Sequence, residues 1–299
     1  TSTANVCFGG YFNPGATYGT NETELWNGSS WTEVNNLNTG KYTHGGANDT
    51  STSTLAWGGS NPPNVDASAK TEQWNGTSWS EVNDLNAARY GVAGIGTTAS
   101  SLAVGGNPGG GYTTGTEEWN LTRAVGAWST TTSMNTARQL SGGAGSSTAG
   151  LVFGGDTGSV SALTESWDGS AWTEVGDLNT ARAVGGSAGA TYTAALMFGG
   201  GYPPNYAQTE TWNGSAWTEV GDLNTARRSG GGVGSTTAAL YYGGIISSNS
   251  AANESWNGSA WTEVGDLNTG RRDVSSLGIS TSALCSGGNE APPTTSALN

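Results

Sequence analysis

Short apolar runs ending in a glycine pair recur along this chain. Each run is about five residues, as in Leu-Ala-Trp-Gly-Gly at 55–59 and Leu-Met-Phe-Gly-Gly at 196–200. The pairs stand at 9-10, 58-59, 105-106, 154-155, 199-200, 243-244 and 287-288, spaced by 44 to 49 residues. Each run is apolar at consecutive positions, the pattern of a strand covered on both faces. A stretch of Gly, Ala and Ser precedes it, as at Ser229 to Ser235. Two alternating segments follow: Thr-Glu-x-Trp, as at Thr209 to Trp212, and Trp-Thr-Glu-Val, as at Trp217 to Val220. Asn-Gly links these two, which predicts a type I′ hairpin turn with two residues at positive φ. The period closes on Leu-Asn-Thr-Ala-Arg, as at Leu223 to Arg227.

Four short antiparallel strands in each period of 40 to 50 residues describe a β-propeller blade. The expected fold is all-β, a single propeller over residues 1–299. Small residues suit the crowded inner strands. Paired Trp residues across the hairpin support each other and fill the space between the outer parts of blades. Seven glycine pairs favour seven blades, with Thr294 to Asn299 as a degenerate third strand of the last. Six blades is the alternative, with Asp273 to Ser280 supplying the inner strand of the first blade. A start in mid-blade, without Met, is what a processed or partial chain would show.

At these residues the sequence resembles the kelch repeat. The glycine pair Gly199-Gly200, Trp212-Asn213, Trp217 and Arg227 stand where kelch repeats carry their glycine doublet, aromatic pair, Trp and Arg. The near-identical Trp-Asn-Gly-Ser-x-Trp-Thr-Glu-Val wording looks like the kelch-like arrays of tail and virion surface proteins of marine bacteriophages. The resemblance implies a propeller displayed outside cells or on a virus particle. Kelch propellers include copper oxidases, but their His and Tyr ligands have no counterpart here.

Composition changes the functional picture in three ways. The chain has 299 residues with 10 basic and 23 acidic side chains, a net charge of −13, and offers no electrostatic footprint for nucleic acid. No apolar run approaches the length of a membrane span, so membrane insertion is not expected. One His, His44, and two Cys leave too few ligands for a His- or Cys-based metal site, and no cofactor is expected. Cys7 and Cys285 hold the same slot in the first and last copies. A disulfide between them would close the ring in an oxidising location, and two buried thiols are the competing reading. The 13 Trp suggest a carbohydrate binder at first, but twelve are repeat positions and read as scaffold.

Ligand recognition is expected on one face. The loops joining second to third strands vary most between copies and carry Tyr11, Phe12, Tyr18, Tyr112, Tyr202 and Tyr206. The basic residues that end each unit, Lys41, Arg89, Arg138, Arg182, Arg227 and Arg271, emerge on that face too. They form either a ring of cations for an anionic ligand or buried partners of the repeated Glu24, Glu72, Glu117, Glu165, Glu210 and Glu254. The expected function is a non-enzymatic extracellular or virion-surface module. Its partner would be a host-surface glycan or protein, or other virion proteins. The alternatives are a glycan-active hydrolase with carboxylate chemistry on the loop face, and a purely architectural virion protein.

Overall fold

The computed structural model describes residues 5–8, 21, 23–26, 31–50, 52–61, 66–121, 126–267, 270–273, 275–280, 282–286 and 289–290. Five four-stranded antiparallel sheets dominate it. The first blade is Gly45–Thr50, Ser53–Trp57, Thr71–Trp74 and Trp79–Glu81. The second is Ala93–Gly96, Ser100–Val104, Thr116–Asn120 and Ala127–Thr131. The third is Gly142–Ser146, Ala149–Phe153, Thr164–Trp167 and Trp172–Glu174. The fourth is Gly186–Thr191, Ala194–Phe198, Thr209–Trp212 and Trp217–Val220. The fifth is Gly231–Ser235, Ala238–Tyr242, Asn253–Trp256 and Trp261–Val264. Inner strands of successive blades pack side by side. The pair Ser275–Ile279 and Ser282–Ser286 stands against the fifth inner strand and also touches the first, so the strands run in a closed circle about an axis. Asn5–Phe8, Thr23–Trp26 and Trp31–Val34 form a three-stranded sheet, and Asn5–Phe8 packs beside Ser282–Ser286.

The propeller and its four-stranded blades are as the pattern implied, but among the described residues the blade number is five, neither the seven favoured nor the six held as alternative. Counting glycine pairs overcounts because a pair marks only the end of a second strand. The first and last copies contribute a second strand without a full set of four among the described residues. The third strand expected at Thr294 to Asn299 lies outside the described residues, as do the side chains of Cys7 and Cys285 and hence the disulfide between them.

The second strands are the core. Leu151, Val152 and Phe153 are fully buried, as are Ala195, Leu196, Met197 and Phe198. The Trp pairs are cross-strand partners, Trp74 with Trp79 and Trp212 with Trp217, each with ring centroids 5.6 Å apart. The outer Trp of one blade also meets the second-strand aromatic of the blade before it. Trp128 stands edge-on to Trp57 at 5.1 Å, Trp217 to Phe153 at 4.8 Å and Trp261 to Phe198 at 4.9 Å. Such aromatic pairs contribute roughly 0.5–1.5 kcal/mol beyond the area they bury.

The Asn-Gly hairpins depart from the type I′ expectation. Four residues separate the paired Trp residues, and of the two central positions only the glycine has positive φ, as at Gly214 with +96°. Asn213 Oδ1 instead accepts from the amides of Ser215 and Ala216 and from the Ser215 hydroxyl, at 2.9–3.0 Å. The side chain closes the turn, so the Asn backbone need not enter the left-handed region. Asp168 makes the same three bonds at 2.8 Å, and the amide of Ala171 above all holds its carboxyl below the usual range.

Candidate functional site

The repeated charges come first because they decide what the loop face can offer. Arg89, Arg138, Arg182 and Arg227 are all buried. Each pairs with the third-strand glutamate of the blade it leads into. Arg89 donates to Glu117 at 2.8 Å and Arg182 to Glu210 at 2.5 Å, and Arg138 and Arg227 pair with Glu165 and Glu254. Lys41 takes the same place against Glu72 at 3.4 Å. Burial pulls the Lys41 ammonium below its usual range, against the opposing effect of Glu72. The rest of Leu-Asn-Thr-Ala-Arg serves the same joint. Leu178 is buried, and Asn179 donates through its amide and side chain to Glu210 and to the Trp217 carbonyl. The Arg carbonyl accepts from the second glycine of the preceding blade, as Gly200 N to Arg227 O at 2.9 Å. A Cβ on Gly199 would stand 2.6 Å from that oxygen, and both glycines have positive φ, at 61° and 92°. No other residue type meets both demands.

These four arginines therefore hold blades together and present no guanidinium to a ligand on the face. Arg271, the fifth, is half-buried, and its backbone pairs with Glu290. Among the expected aromatics, Tyr11, Phe12 and Tyr18 lie outside the described residues. Tyr112 is half-buried, and its hydroxyl donates to Asp156 at 3.0 Å, which is the main cause raising its pKa. Tyr206 is half-buried under its own loop, and its amide donates to Gly200. Tyr202 is 70% exposed at the rim of a cup on the axis.

That cup has a volume of about 350 Å³, within the range of small-molecule sites. Its floor comes from the two residues that follow each repeated basic residue. The first of them runs Tyr42, Tyr90, Gln139, Ala183, Arg228 and Arg272 around the axis, and all but Ala183 line the cup. The second runs Thr43, Gly91, Leu140, Val184, Ser229 and Asp273, and every one has φ between 50° and 64°. Here the chain turns from a radial loop into an inner strand, and a left-handed residue makes the corner. The corners are tied in sequence by backbone bonds. Gly91, Leu140, Val184, Ser229 and Asp273 each donate to the carbonyl of the corner before, at 2.7–3.3 Å. For a non-glycine residue this conformation costs on the order of 1–3 kcal/mol. The five bonds that link the six corners hold it in place. Second-to-third-strand loops complete the wall with Ser60, Tyr202 and Ile245. Backbone bridges such as Arg228 to Ile245 join them to the floor, so the two loop classes do share a face.

The cup is polarised. Arg228 and Arg272 are neighbours on one side, with Tyr42 and Tyr90 next in the circle. Arg228 donates to Asn205 Oδ1 at 2.6 Å and lies over the Tyr202 ring at 5.8 Å. Arg272 pairs with Asp273 at 3.5 Å, both more than a third exposed. Burial raises the Asp273 carboxyl above its usual range, while a hydrogen bond from Ser229 and the charges of Arg272 and Arg228 oppose the rise. Among the described residues three buried polar atoms of cup-lining side chains have no hydrogen-bond partner: Ser60 Oγ, Gln139 Oε1 and Arg272 Nε, the last facing Asp273 as an ion pair. Buried polar groups are nearly always paired, so the cup carries capacity that the described residues do not satisfy. Sequence reasoning passed over Tyr42, Tyr90, Gln139, Arg228 and Arg272. The signal was the position just after the repeated basic residue, where the six copies carry four different residue types.

Among the described residues no group of three or more His, Cys, Asp and Glu side chains could hold a metal ion. No helix among them is long and apolar enough to cross a membrane. No protein-family model matches the chain, and no curated protein matches it by sequence. Among solved structures it is similar to one titled "Structure of YjhT", with a TM-score of 0.68 and 11% identity over 88% of this chain and 99% of that one. At that identity the likeness shows the propeller fold.

Proposed function

We propose that this chain is a non-enzymatic recognition propeller, kelch-like in its repeat, displayed outside the cell or on a virion surface. It binds a glycan or a protein partner on the face that carries the axial cup. The observation that supports this reading is the division of labour among its charges. Repeated acids and bases are joined in buried pairs at the blade joints, whereas the non-repeated Tyr42, Tyr90, Gln139, Arg228 and Arg272 converge on one cavity. Tyrosine faces and planar donors suit sugar rings and their hydroxyls. A glycan array with the intact chain tests binding, and recovery of the hit unchanged after long incubation tests the absence of catalysis. A cleaved product refutes the non-enzymatic part. Imaging of native particles tests display on a virion.

One observation favours a second reading. A carboxyl in a cleft whose pKa is raised by burial, against the opposing charges of Arg272 and Arg228, is a candidate general acid. Under that reading Asp273 is the acid of a glycan-active hydrolase, and the same incubation shows turnover that Asp273→Asn abolishes.

A further inference from the structure

The chemistry of the cup narrows what it can hold. The chain as a whole carries −13, yet the side chains in contact with the cavity bring two guanidinium groups and one carboxylate. The cavity is therefore locally positive on an acidic molecule, and a neutral ligand would leave that charge unused. A guanidinium has five N–H donors. Arg228 gives one of them to Asn205, which with Tyr202 fixes the plane of the group at the cup wall. Arg272 is steered by Asp273 through Nε, the edge that makes no hydrogen bond. On the same circle Tyr42 and Tyr90 add aromatic side chains to the lining, and Gln139 and Ser60 add polar ones whose Oε1 and Oγ have no hydrogen-bond partner among the described residues. Planar forks for an anion, aromatic faces for a ring and scattered single polar atoms for hydroxyls thus meet in about 350 Å³.

Resting on the recognition reading above, we infer that the axial cup binds an acidic sugar residue, a hydroxyl-bearing ring with one anionic substituent. The anion lies against Arg228 and Arg272, and the ring lies over the Tyr42–Tyr90 side. The polarisation fixes the orientation, because only one arc of the circle is cationic. The repeated arginines, buried at the joints, take no part.

Calorimetric titration of the whole chain with four probes tests this: methyl glucuronide, glucose 6-sulfate, glucose 6-phosphate and neutral methyl glucoside. At least one anionic probe should bind about tenfold or more tighter than the glucoside, the change expected for one charge-assisted contact. A carboxylate-only preference places the planar group in an arginine fork, and equal binding of all three anions assigns recognition to charge alone. Both outcomes support the inference. Arg228→Ala and Arg272→Ala should each reduce the affinity for the best anion toward the level of the glucoside. Arg272→Lys should restore part of the affinity. Equal affinity for neutral and anionic probes, or anion binding untouched by both variants, overturns the inference and leaves the recognition reading standing. If no probe binds but the array shows another glycan, the inference again fails alone. If nothing binds in either experiment, both fail.

Discussion

Arg182 Nη2 donates to Glu210 Oε1 at 2.5 Å, and neither side chain is exposed to solvent. The pair spans the entry to the fourth blade, because Arg182 precedes its inner strand and Glu210 sits in its third. Burial alone pulls the Arg182 pKa down, and the Glu210 charge opposes it. Glu210 also takes the amides of Asn179 and Thr180, so one carboxylate organises the whole incoming loop.

Removing one partner of this pair should therefore be expensive. Arg182→Ala leaves Glu210 buried and uncompensated, and the expected loss is about 3–5 kcal/mol in urea unfolding followed by Trp fluorescence. Arg182→Met combined with Glu210→Gln should recover much of it, because the isolated charge is gone. A loss below about 1 kcal/mol for Arg182→Ala, the size typical of exposed pairs, would show that the joint does not depend on the ion pair.

The outer Trp residues make a second tie between blades, and one copy breaks the pattern. Trp217 Nε1 donates to Thr164 Oγ1 of the preceding blade at 3.0 Å, and Trp128 reaches Thr71 in the same way. In the third blade, Trp172 Nε1 and the equivalent Thr116 Oγ1 are both buried without a hydrogen-bond partner among the described residues. Thr→Val keeps the shape and deletes the hydroxyl. Thr164→Val strands the Trp217 donor and should cost about 1–3 kcal/mol, whereas Thr116→Val breaks no bond and should be neutral or stabilising. Thermal unfolding of the two variants side by side checks the contrast, and equal losses would contradict it.

How far the sequence reached follows from what repeats. The strands Ala194–Phe198, Thr209–Trp212 and Trp217–Val220 have the bounds read from the pattern, because glycine pairs and Trp residues punctuate every copy. The Arg–Glu alternative was legible for the same reason, since a charge present in every unit cannot belong to one asymmetric site. Blade number was not legible. It depends on how incomplete end copies pair, and no local residue records that. Nor was the cup. Tyr42 and Arg228 lie far apart in the chain, and only the circular arrangement of inner strands brings them to one cavity. The turn type was misread because Asn-Gly was weighed without the four-residue spacing between the Trp partners, which leaves the Asn side chain to close the loop.

Alkaline stability should depend on Tyr241. It is wholly buried, and burial pushes its phenol up to about 12, with Arg227 lying over its ring at 4.5 Å. A raised pKa means that the folded state keeps its proton after the unfolded chain has lost it. The stability contribution is therefore complete below about pH 10 and declines as pH rises from 10 to 12, by up to ~3 kcal/mol. Tyr241→Phe removes that decline. The difference in unfolding free energy between wild type and variant should be constant from pH 7 to 9 and shift toward the variant above pH 10. A difference that stays flat to pH 11.5 would place the phenol in contact with solvent.

Asp273 offers the corresponding test at the cup. Its carboxylate is the only negative charge among the residues lining the cavity, and it stands against Arg272. Tyr42, Tyr90, Tyr202, Arg228 and Arg272 are the other titratable or charged side chains lining the cup. Near the floor, His44 follows Thr43 in the chain. Asp273→Asn removes the repulsion of an anionic ligand while keeping the shape, so anion affinity should rise severalfold at pH 7. Because burial raises the carboxyl, wild type should gain affinity on acidification before an ordinary aspartate would, and the variant should lack that gain. A gain of equal size in both proteins would assign the acid response to His44 and not to Asp273. Loss of anion affinity in Asp273→Asn would mean that the carboxylate serves mainly to aim Arg272.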